Sequence, residues 1–137
     1  MAISFQNQEI RYKLEQPAKV KAWIKKIIAL EKKKTGRIDF VFTNDEEVLK
    51  ANVRFLNHTT YTDIITFDDC EADVINGDII ISIDRVKENA TKFEVAFEME
   101  LKRVIIHGIL HLCGYKDKTG KDAAIMREKE NLALKKF

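Results

Sequence analysis

The stretch HGILHLCGYKDK, from His107 to Lys118, sets two histidines four residues apart, then a glycine three residues on and an aspartate three after that. Residues four apart on an α-helix share one face, about a turn apart. His107 and His111 can therefore aim at one metal ion. Gly114 can end such a helix and let the chain bend, which brings Asp117 back toward the same point. Two imidazoles and one carboxylate form a three-ligand set, the kind that leaves a coordination position open for water. The bland alternative is a pair of core histidines near a helix end. Two imidazoles in one apolar helix would each need a hydrogen-bond partner, and the glycine turn and following acid favour the metal.

The same spacing occurs in the metzincin peptidase helix, H-E-x-x-H-x-x-G-x-x-H. There a glutamate, the general base, follows the first histidine. Gly108 holds that position here and cannot take a proton. The pattern keeps the metal and loses the peptidase base. A bound ion can lower the pKa of its own water to roughly 7, and phosphodiester hydrolysis needs charge neutralisation at the phosphate as much as a base. A non-haem iron oxygenase also uses two histidines and one carboxylate, but no cosubstrate-binding feature accompanies them.

The elements that must position these groups can be read in part. Ile10, Tyr12 and Leu14 alternate with polar residues as a half-buried strand would. Pro17 suits the first turn of a helix, continued by Val20, Trp23, Ile24, Ile27 and Ile28 and closed by Gly36. Ile38–Phe42 reads as a strand. Asn44 and Glu47 resemble a capping box before a helix through Leu56. Asp63–Phe67 and Asp78–Ile83 are β-branched runs expected as buried strands, with DDCEAD between them a solvated loop. Asp84 can cap a short helix to about Lys92. A longer helix is expected from near Phe93 to Leu112, with an almost wholly apolar second half, stopped by Gly114. Thr119 and Asp122 look like the opening of a last helix, with Ala124, Ile125, Leu132 and Leu134 as its apolar face. The expectation is one α+β domain over 1–137: a mixed four-stranded sheet, about five helices, and the metal site at the C-terminal end of the central helix.

HGILHLCGY also closely resembles the signature of the YbeY family, H-G-x-L-H-L-x-G-Y-D-H. His107, Gly108, Leu110, His111, Leu112, Gly114 and Tyr115 match. LNHTTYTDIITF (Leu56–Phe67) is similar to the family's LN…TDVLSF stretch, and NGDIIIS (Asn76–Ser82) to its LGDIVI strand. The resemblance implies a zinc-dependent, single-strand-specific endoribonuclease of rRNA maturation. It would act at the 16S rRNA 3′ end and in ribosome quality control, with rRNA and the small ribosomal subunit as partners and no organic cofactor. Two departures stand out. Asp117 replaces the family's third histidine ligand, and Lys116 the aspartate before it. Aspartate is a sound zinc ligand; its charge makes the centre a weaker Lewis acid and suits harder divalent ions such as manganese. The loop between the LN and TD blocks is shorter and lacks the family's arginine; His58 or Arg54 could contact phosphate instead, although Arg54 also reads as an ordinary helix-surface residue.

Cys113 lies two residues past His111, about 200° round the helix, and reads as a small core residue rather than a ligand. Cys70 sits among acids with no evident partner. Tyr115 can brace the metal turn. Asp63 and Thr66 belong to the strand that the resemblance sets beside the site, with Thr66 where the family has serine. Lysines on the first helix read as a solvated face. Lys116, Lys118, Lys121, Arg127 and Lys129 surround the metal turn, and a positive rim there would draw RNA phosphates and make binding salt-dependent; Lys116, Lys118 and Lys121 are the candidate RNA contacts. The alternative function is a ribosome-assembly or RNA-binding factor with a structural or vestigial metal site.

The whole chain is compatible with this. Its 137 residues suit one core, and 45% hydrophobic against 34% charged residues indicates a folded protein. A net charge of +2 does not by itself announce nucleic acid. No apolar run is long enough for a membrane helix, the N-terminus lacks a secretory pattern, and two cysteines make no disulfide framework. A cytoplasmic protein without a membrane partner is expected.

Overall fold

A computed structural model describes residues 3–56 and 62–137, with the backbone alone at Leu56. Nine elements follow one another: β1 (Ile3–Asn7), α1 (Pro17–Leu30), β2 (Lys34–Thr43), α2 (Asp45–Leu56), β3 (Ile64–Asp68), β4 (Val74–Ser82), α3 (Ile83–Lys92), α4 (Phe97–Leu112) and α5 (Gly120–Lys135). The sheet order is β1-β2-β4-β3. β1, β2 and β4 run parallel, and β3 pairs antiparallel with β4. The architecture is the expected α+β fold with a mixed four-stranded sheet and five helices.

Alternation along the strands divides the sheet into two faces. Ile38, Phe40 and Phe42 of β2 and Ile75, Ile79 and Ile81 of β4 are fully buried and form one core with Val20, Ile24 and Ile28 of α1 and Leu101, Ile105 and Ile109 of α4. On the other face Ile65 stands beside Ile80, and α2 covers that end with Phe55 edge-on to Phe67, 5.6 Å between centroids.

Several local expectations change. The N-terminal strand is Ile3–Asn7, not the Ile10–Leu14 segment. Ile10, Tyr12 and Leu14 do pack against the core, and Tyr12 meets the Phe42 ring edge-on at 5.5 Å. Their alternation reflects that packing without a ladder partner, because β1 already fills the edge of β2. Helix α1 ends at Leu30 rather than at Gly36. Lys32 takes the left-handed conformation (φ 61°), and the bonds Lys33 N–H to Ile28 O and Lys32 N–H to Ala29 O complete a Schellman closure. Gly36 lies inside β2, where a β-carbon would strike the Asn76 side chain of β4.

Asn44 caps α2, with Glu47 N–H donating to its Oδ1 at 2.8 Å, while the Glu47 carboxylate accepts from Lys50 Nζ at 3.0 Å. Ser82, not Asp84, caps α3 by accepting from Arg85 N–H. α4 starts at Phe97 because Phe93 closes α3 and Glu94 turns through φ 56°. Cys70 is not left to solvent: its thiol turns inward and donates to Asn76 O at 3.3 Å and toward Leu112 O at 3.6 Å. In α5 the buried residues are Met126, Glu130 and Ala133, while Ile125 and Leu132 are exposed. Of the expected apolar face only Leu134 packs against the core; the face turned inward is built round a buried acid, so hydrophobicity alone points largely to the wrong side. No described helix is long and apolar enough to cross a membrane.

Candidate metal centre

The histidines sit on the last turns of α4, whose other faces bury Ile105, Ile106, Ile109 and Leu110. Cys113 caps the helix, and Gly114 follows at φ 112°. Gly114 N–H donates to His111 O and Tyr115 N–H to Leu110 O, a second Schellman closure. That turn sends the chain back so that Asp117 faces the helix it has just left. Asp117 Oδ2 lies 3.3 Å from His107 Nε2, and Oδ1 lies 3.9 Å from His111 Nε2. One ligand atom from each residue falls within 4.8 Å of the others. Ligands at about 2.0–2.1 Å from a tetrahedral ion stand roughly 3.3 Å apart, so little movement would close this set on one ion.

The opposite ring nitrogens are already engaged. His111 Nδ1 donates to the Tyr115 carbonyl at 2.8 Å. A carbonyl can only accept, so the proton is on Nδ1 and the Nε2 lone pair points to the cluster. His107 Nδ1 donates to Glu130 Oε2 at 2.6 Å. Glu130, only 4% exposed, also accepts from Arg103 NH1 through Oε1 at 3.0 Å. An imidazole held at Nδ1 by a carboxylate or carbonyl and offering Nε2 is how metal-binding histidines are usually oriented. The donor set thus fits a divalent transition ion.

Electrostatics follow from this wiring. Burial pulls the His107 imidazole down, but the Glu130 hydrogen bond and the charges of Glu130, Asp117 and Asp63 outweigh it and hold the group above its usual value. Burial pushes Glu130 up, while His107 and Arg103 more than offset this and hold it below the usual carboxylate range. Asp63 and Glu100 are both pushed up, chiefly by burial.

The cluster opens onto a cavity of about 560 Å³. Thr62, Asp63 and Thr66 form its sheet side, and Arg103, Arg127 and Phe93 contribute from the helices. Asp63 and Thr66 line the same cavity as the cluster, the side on which the family resemblance set them. Lys116, Lys118 and Lys121 are exposed on the turn and the start of α5, outside the cavity lining. Arg54 is exposed, its guanidinium 5.3 Å from the Phe55 ring centroid, and it does not line the cavity. His58 falls outside the described residues. Cys113 is half-buried with its thiol pushed up to about 12, mainly by burial, and is not in the ligand cluster. Tyr115 braces the turn as expected: its hydroxyl donates to Glu31 Oε1 at 2.7 Å, tying the metal turn to the end of α1.

Sequence reasoning missed Glu130 and Arg103. Both lie far along the chain from their partners. The available signal was an acid in register with Met126 and Ala133, four and three residues away on one helical face. The structure also accounts for Gly108. A β-carbon there would come within 2.9 Å of Ile64 Cδ1 and 3.1 Å of Ile79 Cδ1. The position faces the sheet, so a glutamate would meet β3 and β4 and not a bound ion.

Comparison with known proteins shows what the chain is similar to. Residues 3–137 match the family described as Endoribonuclease YbeY. An Endoribonuclease YbeY from Flavobacterium psychrophilum is 49% identical over 135 residues, covering 98% of this chain and 96% of its own length. One from Porphyromonas gingivalis is 55% identical over 112 residues, covering 82% of this chain and 74% of its own. The solution structure of TM1509 from Thermotoga maritima aligns with a TM-score of 0.67 at 28% identity, over 97% of this chain and 87% of that one. With its helix, glycine turn and strand blocks all in place, the chain belongs to the YbeY family.

Proposed function

We propose that this chain is a metal-dependent endoribonuclease, with His107, His111 and Asp117 holding one divalent ion. The observation that carries this is the convergence of two pre-oriented Nε2 atoms and a carboxylate on the wall of a cavity that also presents two guanidiniums. Zinc is the metal proposed first, and the single carboxylate leaves room for another divalent transition ion. When bound, such an ion supplies Lewis acidity and lowers the pKa of a water.

The chain's own residues do the rest. Arg127, with a side chain 60% exposed, offers a guanidinium to an incoming phosphate. Arg103 spends two of its donors on Glu130 and Asn131 and steadies the positive wall. Lys116, Lys118 and Lys121 form an outer rim that raises the local concentration of an RNA strand. Asp63, half-buried on the cavity wall and held above the usual carboxylate range chiefly by desolvation, is the cavity carboxyl best suited to pass a proton to or from the scissile phosphodiester. The substrate proposed is single-stranded rRNA of the small ribosomal subunit, in 16S 3′-end maturation and ribosome quality control, in the cytoplasm.

The test is metal content by elemental analysis together with cleavage of a single-stranded oligoribonucleotide, wild type beside Asp117→Ala. About one ion per chain and cleavage are expected in the wild type, both lost or much weakened in the variant. Full metal in Asp117→Ala removes Asp117 from the ligand set. A wild type that keeps its metal and binds but never cuts RNA would mark an assembly factor with a structural ion.

A further inference from the structure

Phe93 is not used by the chemistry above, yet its ring helps wall the same cavity as His107, His111 and Asp117. It stands at the C-terminal cap of α3, pinned by its N–H bond to Asn89 O at 2.9 Å and followed by the left-handed turn at Glu94. The backbone is therefore held while the ring stays 53% exposed and takes no part in the core. Asn89 lines the cavity beside it, and Lys92 Nζ stands 5.8 Å from the ring centroid. An exposed phenyl ring on a fixed cap, lining one cavity with two guanidiniums and the His107–His111–Asp117 cluster, is a flat apolar face in the same cavity as groups that attract an anion.

We infer that Phe93 is the stacking platform for an unpaired nucleobase adjoining the phosphate that is cut. The inference rests on the endoribonuclease reading. The occupant follows from the neighbours: Arg127, and the ion that the cluster would hold, attract a phosphate, and the flat group that an RNA strand carries one ribose away from each phosphate is a base. Every base has a π-face, so such a platform binds without strong sequence preference. A base inside a duplex has both faces covered by its neighbours and cannot stack on Phe93 without being pulled out. The platform thus gives a physical basis for selecting single strands.

The test uses the full chain in two states. Metal-free protein is titrated with a fluorescein-labelled single-stranded oligoribonucleotide, with the same strand carrying one abasic site next to the cleavage position, and with a blunt hairpin. Metal-loaded protein is assayed for kcat and KM on the same strands. Replacing Phe93 by alanine is expected to weaken single-strand binding by about 5- to 150-fold and to raise KM with little change in kcat. Phe93→Trp should retain binding, while Phe93→Leu should behave like alanine because it keeps apolarity and loses the flat face. The abasic strand should bind wild type as weakly as the intact strand binds Phe93→Ala. Equal binding by wild type and Phe93→Ala, or by wild type and Phe93→Leu, overturns the platform while leaving the nuclease standing. A wild type that neither binds nor cuts RNA overturns both.

Discussion

Replacing Glu130 by glutamine removes one negative charge and keeps the shape. In the native arrangement Oε2 accepts from His107 Nδ1 at 2.6 Å while Oε1 accepts from Arg103 at 3.0 Å. A carboxamide has one acceptor oxygen and must choose. With the oxygen toward His107, the amide NH₂ confronts the Arg103 guanidinium. With the oxygen toward Arg103, the NH₂ points at Nδ1 and favours the tautomer with its proton on Nε2, which closes that atom to a metal. Either way a charge-assisted bond of about 1.5–3 kcal/mol to a buried acid is lost. At about 1.4 kcal/mol per factor of ten, metal affinity should fall roughly 10- to 100-fold, the range expected for outer-shell carboxylates. Competition against a chelator of known affinity measures this directly. Buried Trp23, whose Nε1–H donates to Ala133 O at 2.8 Å, reports by its fluorescence whether α5 is still docked. Native Trp23 emission with unaltered metal affinity would refute the argument that Glu130 orients His107.

Other outcomes follow from the same geometry. Gly108→Ala should gain up to about 1 kcal/mol of helix propensity and lose about 1–3 kcal/mol to crowding against Ile64 and Ile79; a net loss of about 1 kcal/mol, near 3–5 °C in Tm by calorimetry, is expected, and a stabilised variant would show the strands yield freely. Arg127→Ala should reduce the slope of log binding constant against log salt by about 0.7 for single-stranded RNA; an unchanged slope would remove it from the phosphate contacts. Asp63→Asn should lower kcat by about 100-fold with metal content intact, and a wild-type kcat would release Asp63 from proton transfer. In the metal-free protein, His107 is raised, so its stabilisation is present below the unfolded value near 6.5 and is lost as pH rises through the folded one. Glu130 is lowered, so its share is present above about 4.5 and is lost as pH falls through its folded value. The stability difference between wild type and Glu130→Gln in urea should therefore be largest between about pH 4.5 and 6.5, and a flat difference would contradict the pairing.

What the chain reveals by itself is what depends on near neighbours. The convergence of His107, His111 and Asp117 was legible because helix pitch and one glycine fix the three residues relative to one another. The strands β2, β3 and β4 were legible from their near neighbours too, although at the edge strand β3 only Ile65 is buried, where a fully buried run was expected. β1 was not, since five residues carry little periodicity and the alternation at Ile10–Leu14 mimics a strand while only packing. The end of α1 was misread because Lys32 adopts a conformation usually left to glycine. Glu130 and Arg103 were hidden because their roles arise 23 and 27 residues away along the chain, at His107 and across to Glu130. A buried acid in a helix looks like a polar position until its partners are in place.

The clasp between Trp23 and Ala133 spans 110 residues of chain, and the helix it holds is the one that brings Glu130 to His107. Closing so long a loop carries a higher entropic cost than pairing local turns and neighbouring strands. Until α5 docks on α4, His107 lacks the partner that fixes its tautomer, so the three residues are set in sequence but not in orientation. An ion bound there would thereby be a guest admitted to a finished fold and not a seed that folding grows around. Metal loading should trail refolding, and a chain with α5 undocked should be a poor scavenger of metal as well as a poor enzyme.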